Sequence, residues 1–458
     1  MDIREKIISG TMVLSAANVL MRIFSFFTIL IVVRVVSVHD YGIFTLIMSL
    51  AGLLGAWSNM GIDSLVLSDV SRNFGENNLS RAKSLLYNFW ILRAGLLFIM
   101  LLVLFIIKAY LKSDYSMIAE QYFWLVVLLT LAQYMRGISS LLIQINERFK
   151  LLSITNISEV VVKFIFIIIF LLFGKLNIIT LILCYIFGTF FAAIISLPQF
   201  KKTLLLFRDI PMEKMRFIYE IFRAHGKWQI ANNVISSSTN TIKFWLVKVI
   251  ISTEAVGYLA LAQNLYSVLA SLIPLGTVIF PIIARKLHDV VVLKKILQKA
   301  TKYSLVLYIL MIISSYVVIS PLIPYVFPKY IIAIPLFNLL VLRLLFNAFS
   351  ISQTPILFAY REQKFMFLCA VISFLLTFIL SPVLMLRFGI IGTIIEAIIT
   401  IFIVSIIREI YLRKKYGLKT IGWKSFFSVD ETDKVIIMEM INRFFIIFRK
   451  KPLSISKH

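Results

Sequence analysis

Charged side chains stand inside stretches of sequence otherwise built from Ile, Leu, Phe and Val. They are Arg22, Arg34, Arg93, Arg136, Lys163, Lys243, Lys248 and Arg343, with Asp63, Glu159 and Glu396 as the clearest acids. An ionisable group in hydrocarbon costs roughly 3 kcal/mol on insertion scales, so such groups face protein or a watery cavity. The excess of bases points to chemistry with an anion. A guanidinium grips phosphate or carboxylate through two parallel N–H donors, and an ammonium attracts it as a point charge. Residues three, four and seven apart share one helix face. On that rule Ser15, Asn18 and Arg22 form a stripe, as do Asn233, Ser236, Ser237, Asn240 and Lys243. Gln133, Arg136, Ser140 and Gln144 form a third, and Arg343, Asn347 and Ser350 a fourth. The expected binding groups are Arg22, Arg136 and Arg343 for an anionic head, with Asn18, Asn233, Asn240, Lys243, Gln144 and Asn347 around it. The competing reading is that these groups bond helix to helix.

Some of the charges have simpler explanations. Glu159 and Lys163 stand four apart, the favourable order for a pair within one helix. Arg34, Lys248 and Arg93 lie near run ends, where long stems carry the charge back to the interface. Asp63, four residues after Asn59, either binds a coupling proton or cation or pairs with an arginine. Glu159 and Glu396 are the other candidates for coupling.

The elements that must position these groups are long apolar runs. The 458 residues are 60% hydrophobic and 15% charged, where a soluble domain has about a quarter charged. Six runs fill the first half: 11–36, 43–67, 85–107, 122–145, 151–173 and 178–197. Six more follow at 229–251, 256–283, 303–325, 330–357, 365–386 and 390–411. Each is long enough to cross a bilayer as a helix, and too long and too apolar for a barrel strand. The first run lacks a small-residue cleavage site, so it reads as a retained helix. The sequence therefore predicts an all-α polytopic membrane protein of about twelve spans.

The net charge of +25 is topological and does not mark a nucleic-acid binder. With both termini in the cytosol, 34 of the 47 Lys and Arg fall on the cytosolic side and only five in outer loops, the positive-inside pattern of an inner-membrane protein. The outer loops are short, which leaves no outer domain to do chemistry. The segment from Asp430 to Lys451 reads as an interfacial amphipathic helix held by anionic membrane lipid. Cys184 and Cys369 each stand alone inside a run and read as packing residues. No phosphate-loop motif and no metal-ligand spacing occurs, so no cofactor is expected.

The second half repeats the first. Asn18, Arg34 and Arg72 match Asn232, Lys248 and Lys286 at an offset of 214; Gly42, Glu147 and Phe173-Gly174 match Gly257, Glu362 and Phe388-Gly389 at 215. An in-order repeat of six helices gives two lobes of one orientation, related by a pseudo-two-fold axis along the membrane normal. The expected division is an N-terminal lobe over 1–200, a cytosolic linker over 201–228, a C-terminal lobe over 229–412 and a basic tail over 413–458, with the site between the lobes.

Arg34 through Leu46, RVVSVHDYGIFTL, resembles the first outer loop of Wzx-type polysaccharide-biosynthesis flippases. These belong to the multidrug/oligosaccharidyl-lipid/polysaccharide exporter superfamily. Asn59-Met60-Gly61-Ile62-Asp63 is similar to the stretch that follows in such proteins, and Arg387 to Ala397, RFGIIGTIIEA, to their final pair of helices. The resemblance implies two six-helix lobes that alternately open a cationic lumen and pass a polyprenyl-linked oligosaccharide outward, with polysaccharide assembly machinery as an expected partner. A MATE-type drug antiporter is the first alternative, although it needs free acids for cationic cargo. A membrane glycosyltransferase or polymerase is the second, but the first outer loop offers only His39 and Asp40. No enzyme activity is expected.

Overall fold

The computed structural model describes residues 3–110, 121–213, 226–271, 283, 287 and 289–420. Among them every regular element is helical. The first half holds α1 (Ile3–Val35), α2 (Val38–Asn59), α3 (Asp63–Gly75), α4 (Leu79–Tyr110), α5 (Phe123–Ile145), α6 (Phe149–Leu172), α7 (Ile178–Ile195) and α8 (Leu197–Leu206). The second holds α9 (Lys227–Ile250), α10 (Thr253–Ser271), α11 (Val290–Ser314), α12 (Ser320–Val326), α13 (Ala333–Ala359), α14 (Gln363–Phe388) and α15 (Ile391–Tyr416). Helices stand at all twelve expected spans. Ten helical stretches are long and apolar enough to cross a membrane by length and composition, which makes the chain a multi-pass membrane protein.

Two of the twelve expected spans, α9 and α10, fall outside that count, and their side chains say why. α9 carries Asn232, Asn233, Ser236, Ser237, Ser238 and Asn240, and α10 carries Gln263 and Asn264. Each helix also makes polar contacts with α2. Trp57 Nε1 donates to Ser238 Oγ at 3.2 Å, Thr241 Oγ1 to the Ser49 carbonyl at 3.2 Å, and Asn264 Nδ2 to the Tyr41 hydroxyl at 2.8 Å.

Three expectations need correction. The run 43–67 is not one span: α2 stops at Asn59 because Met60 and Gly61 turn the chain at φ 50° and 67°, and α3 restarts at Asp63. The run 303–325 is interrupted by a π-helical turn, Ser315–Ile319, just before Pro321 and Pro324. The start of the expected linker, from 201, is instead the second half of α8, a short helix opened by Pro198. The end of the 256–283 span, part of the linker and the amphipathic segment 430–451 lie outside the described residues.

The structure carries the repeat in its backbone. Ser37 caps α2 by accepting from the Asp40 amide at 3.0 Å, and Ser252 caps α10 by accepting from the Ala255 amide at 3.1 Å. Gly174 and Gly389 both take positive φ, 64° and 59°. Glu147 and Arg361 do the same at 53° and 56°, so at that turn the halves align one residue away from the Glu147–Glu362 match. α1 packs on α6, as α9 packs on α14.

The reciprocity is tightest where α2 crosses α10. A Cβ on Gly42 would lie 2.1 Å from the Thr253 carbonyl oxygen, and a Cβ on Gly257 would lie 2.4 Å from that of Val38. Each glycine is thus fitted to the other half's backbone, as a two-fold axis between the helices requires. Losing either cap, by Ser37→Ala or Ser252→Ala, is expected to cost about 1 kcal/mol, and equally at the two sites. Thermal unfolding in detergent compares them; a cost at one site only would deny the equivalence.

By packing, the chain divides into two compact units. The larger comprises 1–273, 311–343 and 362–404; the smaller comprises 274–310, 344–361 and 405–458. The larger holds the repeat contacts above and the packing of α7 on α5 and α6. Cys184 and Cys369 are buried in it as free thiols. Within the smaller unit, Thr301 and Ser352 share a hydrogen bond of 2.8 Å and Glu409 accepts from the Thr420 amide at 3.0 Å. The rings of Tyr360 and Tyr416 stack at 4.0 Å there.

Candidate functional site

Four of the eight span cations meet carboxylates. Lys163 Nζ donates to Glu159 Oε1 at 2.6 Å, the pair expected within α6. The same carboxylate accepts from Arg136 Nε on α5 at 3.2 Å and from Thr189 Oγ1 on α7 at 3.2 Å. Arg136 donates further to Thr155 and Asn156. Lys243 Nζ on α9 donates to Glu396 Oε2 on α15 at 2.9 Å, while Thr377 and Thr400 each donate to Oε1 at 2.8 Å. Glu396 is only 1% exposed, so these three donors replace water completely.

Arg93 departs from expectation. It is buried, 3.3 Å from Asp63 through Nη1 and close to the rings of Phe89 and Tyr134. The guanidinium does not run back to the interface, because an anion reaches it from the start of α3 and two aromatic faces shield it. Asp63, which also accepts from Asn59, is therefore paired with an arginine.

The cluster at Glu159 remains electropositive, and a further cation stands near the pair at Glu396. Glu159 is shared by Arg136 and Lys163, and Glu396 faces Lys243 with Arg343 near enough for its charge to act on that lysine. Arg343 lies over the Tyr266 ring, its Nε buried without a hydrogen-bond partner among the described residues. Arg22 donates to the Ser271 carbonyl of α10. Among the described residues no carboxylate lies within ion-pair reach of Arg22 or Arg343.

The neutral candidates are scattered. Asn18 and Asn240 are exposed, while Gln144 and Asn347 are half-buried. Asn233 accepts from Gln229 at 3.4 Å and packs against Gly61, under the α2–α3 turn. Arg34 is exposed, its carbonyl accepting from Lys329 at 3.3 Å. Ser15 has no described side chain.

Sequence reasoning missed a cavity of about 420 Å³ within the larger unit, lined by residues of α1, α2, α7, α9 and α10. Tyr41, Phe44, Tyr185 and Phe244 give it aromatic walls, and Gln263 and Asn264 give it amides. No side chain of its lining is charged, and none of the nine binding candidates belongs to it. The adjacent amides of Gln263-Asn264, inside an apolar run, were the available signal.

This arrangement has known counterparts. No curated protein sequence matches the chain. Its fold is similar to that of a lipid II flippase MurJ in an inward closed conformation, at a TM-score of 0.67 and 16% identity over 97% of this chain and 94% of that one. It is also similar to an inward-facing multidrug resistance MATE family transporter of the MOP superfamily, at 0.65 and 11% over 85% and 94%. The Vibrio cholerae MATE transporter VcmN in its bent form matches at 0.57 and 14% over 90% and 98%. Residues 7–287 match the family described as polysaccharide biosynthesis protein, more than half of the sequence. On that match, the chain belongs to the polysaccharide biosynthesis protein family.

Proposed function

We propose that the protein moves a polyprenyl-phosphate- or pyrophosphate-linked oligosaccharide from the cytoplasmic to the outer leaflet of the inner membrane by alternating access. Both termini are cytosolic in this reading, and the lobes are 1–200 and 229–412. The observation that carries it is the surplus of positive charge within the spans in a family of polysaccharide biosynthesis. Two cations hold Glu159, Lys243 alone pairs with Glu396, and Arg22 and Arg343 meet no carboxylate among the described residues. A phosphate head needs such a surplus, because donors in a low-dielectric site replace the water it leaves. The prenyl chain stays in lipid, while amides and hydroxyls meet the sugars. Anionic lipid on the cytosolic face and polysaccharide assembly machinery are the proposed partners.

The same geometry weighs against a MATE-type drug antiporter. Cationic cargo needs a free acid, and Asp63, Glu159 and Glu396 are each held by a cation of the chain. The test is reconstitution in vesicles, following how much of a lipid-linked oligosaccharide becomes accessible outside. Arg22→Gln and Arg343→Gln are each expected to slow flipping by roughly tenfold or more, the loss of one charge-assisted contact. Arg136→Gln should do the same with a loss of stability, since it also uncouples Glu159. Unchanged flipping in all three variants would remove the phosphate role.

A further inference from the structure

We infer that the uncharged cavity between α2 and α10 is a binding subsite for a neutral sugar unit, separate from the cations that take the phosphate. This rests on the function proposed above and names which part of the substrate the cavity holds.

The chemistry of the lining carries the inference. Thr45, Ser49 and Ser267 each spend their hydroxyl proton on a carbonyl of their own helix, at 2.9, 2.8 and 2.7 Å. Their oxygens are left as acceptors. Tyr41 accepts from Asn264 at 2.8 Å, which leaves the Tyr41 proton as a donor and the Asn264 carbonyl as an acceptor. The Gln263 amide adds a donor and an acceptor. A sugar hydroxyl both donates and accepts, so a lining of mixed, uncommitted groups suits it. The C–H faces of a sugar ring are apolar, and Tyr41, Phe44, Tyr185 and Phe244 offer flat apolar surfaces. With no charged side chain in the lining, an anionic or cationic group placed here would be desolvated without a partner.

The surroundings place the rest of the substrate. Ile29 lines the cavity from α1, and Arg22 lies seven residues before it on the same helix face, about 10 Å away along the axis. Arg22 is bonded to Ser271, four residues beyond the cavity residue Ser267 on α10. The two helices that wall the cavity thus carry a guanidinium below it. On the other side, the Lys163 ammonium lies 5.0 Å from the ring of Tyr185. A sugar seated among the tyrosines would have its phosphate link within reach of Arg22 while remaining in a neutral chamber itself.

Binding of soluble saccharides to the purified full chain, read by thermal shift and titration, tests this without any lipid. N-acetylglucosamine, N,N′-diacetylchitobiose and maltose are the neutral probes, with glucuronic acid as the charged control. At least one neutral probe is expected to bind, and glucuronic acid to bind more weakly than its neutral counterparts. Gln263→Leu should weaken that binding about tenfold, the loss of one polar partner. Ser267→Ala, a smaller change, serves if the first variant misfolds. The inference is overturned if none of the neutral probes binds, or if their binding survives both variants. Flipping of a glycolipid is measured in parallel. Saccharide binding without flipping keeps the subsite and defeats the transport reading, and flipping without saccharide binding does the reverse.

Discussion

Lys243→Met is expected to destabilise the protein by about 3–5 kcal/mol, because it leaves the carboxylate of Glu396 buried with no counter-charge. The residue is 1% exposed, so water does not step in, and the hydroxyls of Thr377 and Thr400 answer only one of its two oxygens. The double change Lys243→Met with Glu396→Leu should recover much of the loss, since removing both members of a buried pair is far cheaper than removing one. Thermal or denaturant unfolding in detergent measures both. A single variant as stable as the parent would show that the pair contributes little; a double variant no better than the single would show that the loss comes from packing. The comparison also separates structure from transport, because Arg343 stays in place throughout.

Gly42→Val and Gly257→Val are expected to prevent the packing of α2 against α10 seen here. The obstacle in each case is a backbone carbonyl, 2.1 and 2.4 Å from the position of a Cβ, and a backbone carbonyl has no rotamer by which to move aside. Overpacking of this kind costs typically 1–3 kcal/mol, and relief comes from separating the two helices. Spin labels at residues 37 and 252, in the turns before α2 and α10, should report a longer distance in either variant. Flipping should fall by tenfold or more if this closed seam is one of the states the transporter visits. An unchanged label distance with unchanged flipping would mean that neighbouring helices absorb the methyl groups, and the seam would lose its significance.

The helices were legible because crossing a bilayer demands about 20 apolar residues, and that demand leaves the same mark wherever the chain folds. Even α9 and α10 could be placed, because enough apolar residues stand between their amides and hydroxyls for each to read as a run. The turn at Met60-Gly61 was not legible, since α3 continues the hydrophobic pattern of α2 in Ile62, Leu65 and Val66.

Among the charges, the pair Glu159–Lys163 could be read because both partners sit on one helix, four residues apart. Lys243 and Glu396 are 153 residues apart and meet only in the folded chain, so no local pattern announces them. The second partner of Glu159, Arg136 of α5, is hidden for the same reason. Attention to charge also drew the eye from the cavity, whose tyrosines and amides carry none. Of the eight span cations, four share three carboxylates within the chain, and Arg22 and Arg343 carry most of the interest.

The fit of Gly42 to Thr253 and of Gly257 to Val38 has a historical meaning as well as a mechanical one. A surface on which one residue meets its counterpart's neighbour, and the reverse holds equally, is the signature of two identical subunits joined about a dyad. A six-helix ancestor bearing one such glycine would have paired with itself through this same seam. On that picture, a fusion of two such copies turns a subunit boundary into the middle of a single protein, where neither glycine can be lost without the opposite copy being forced to answer.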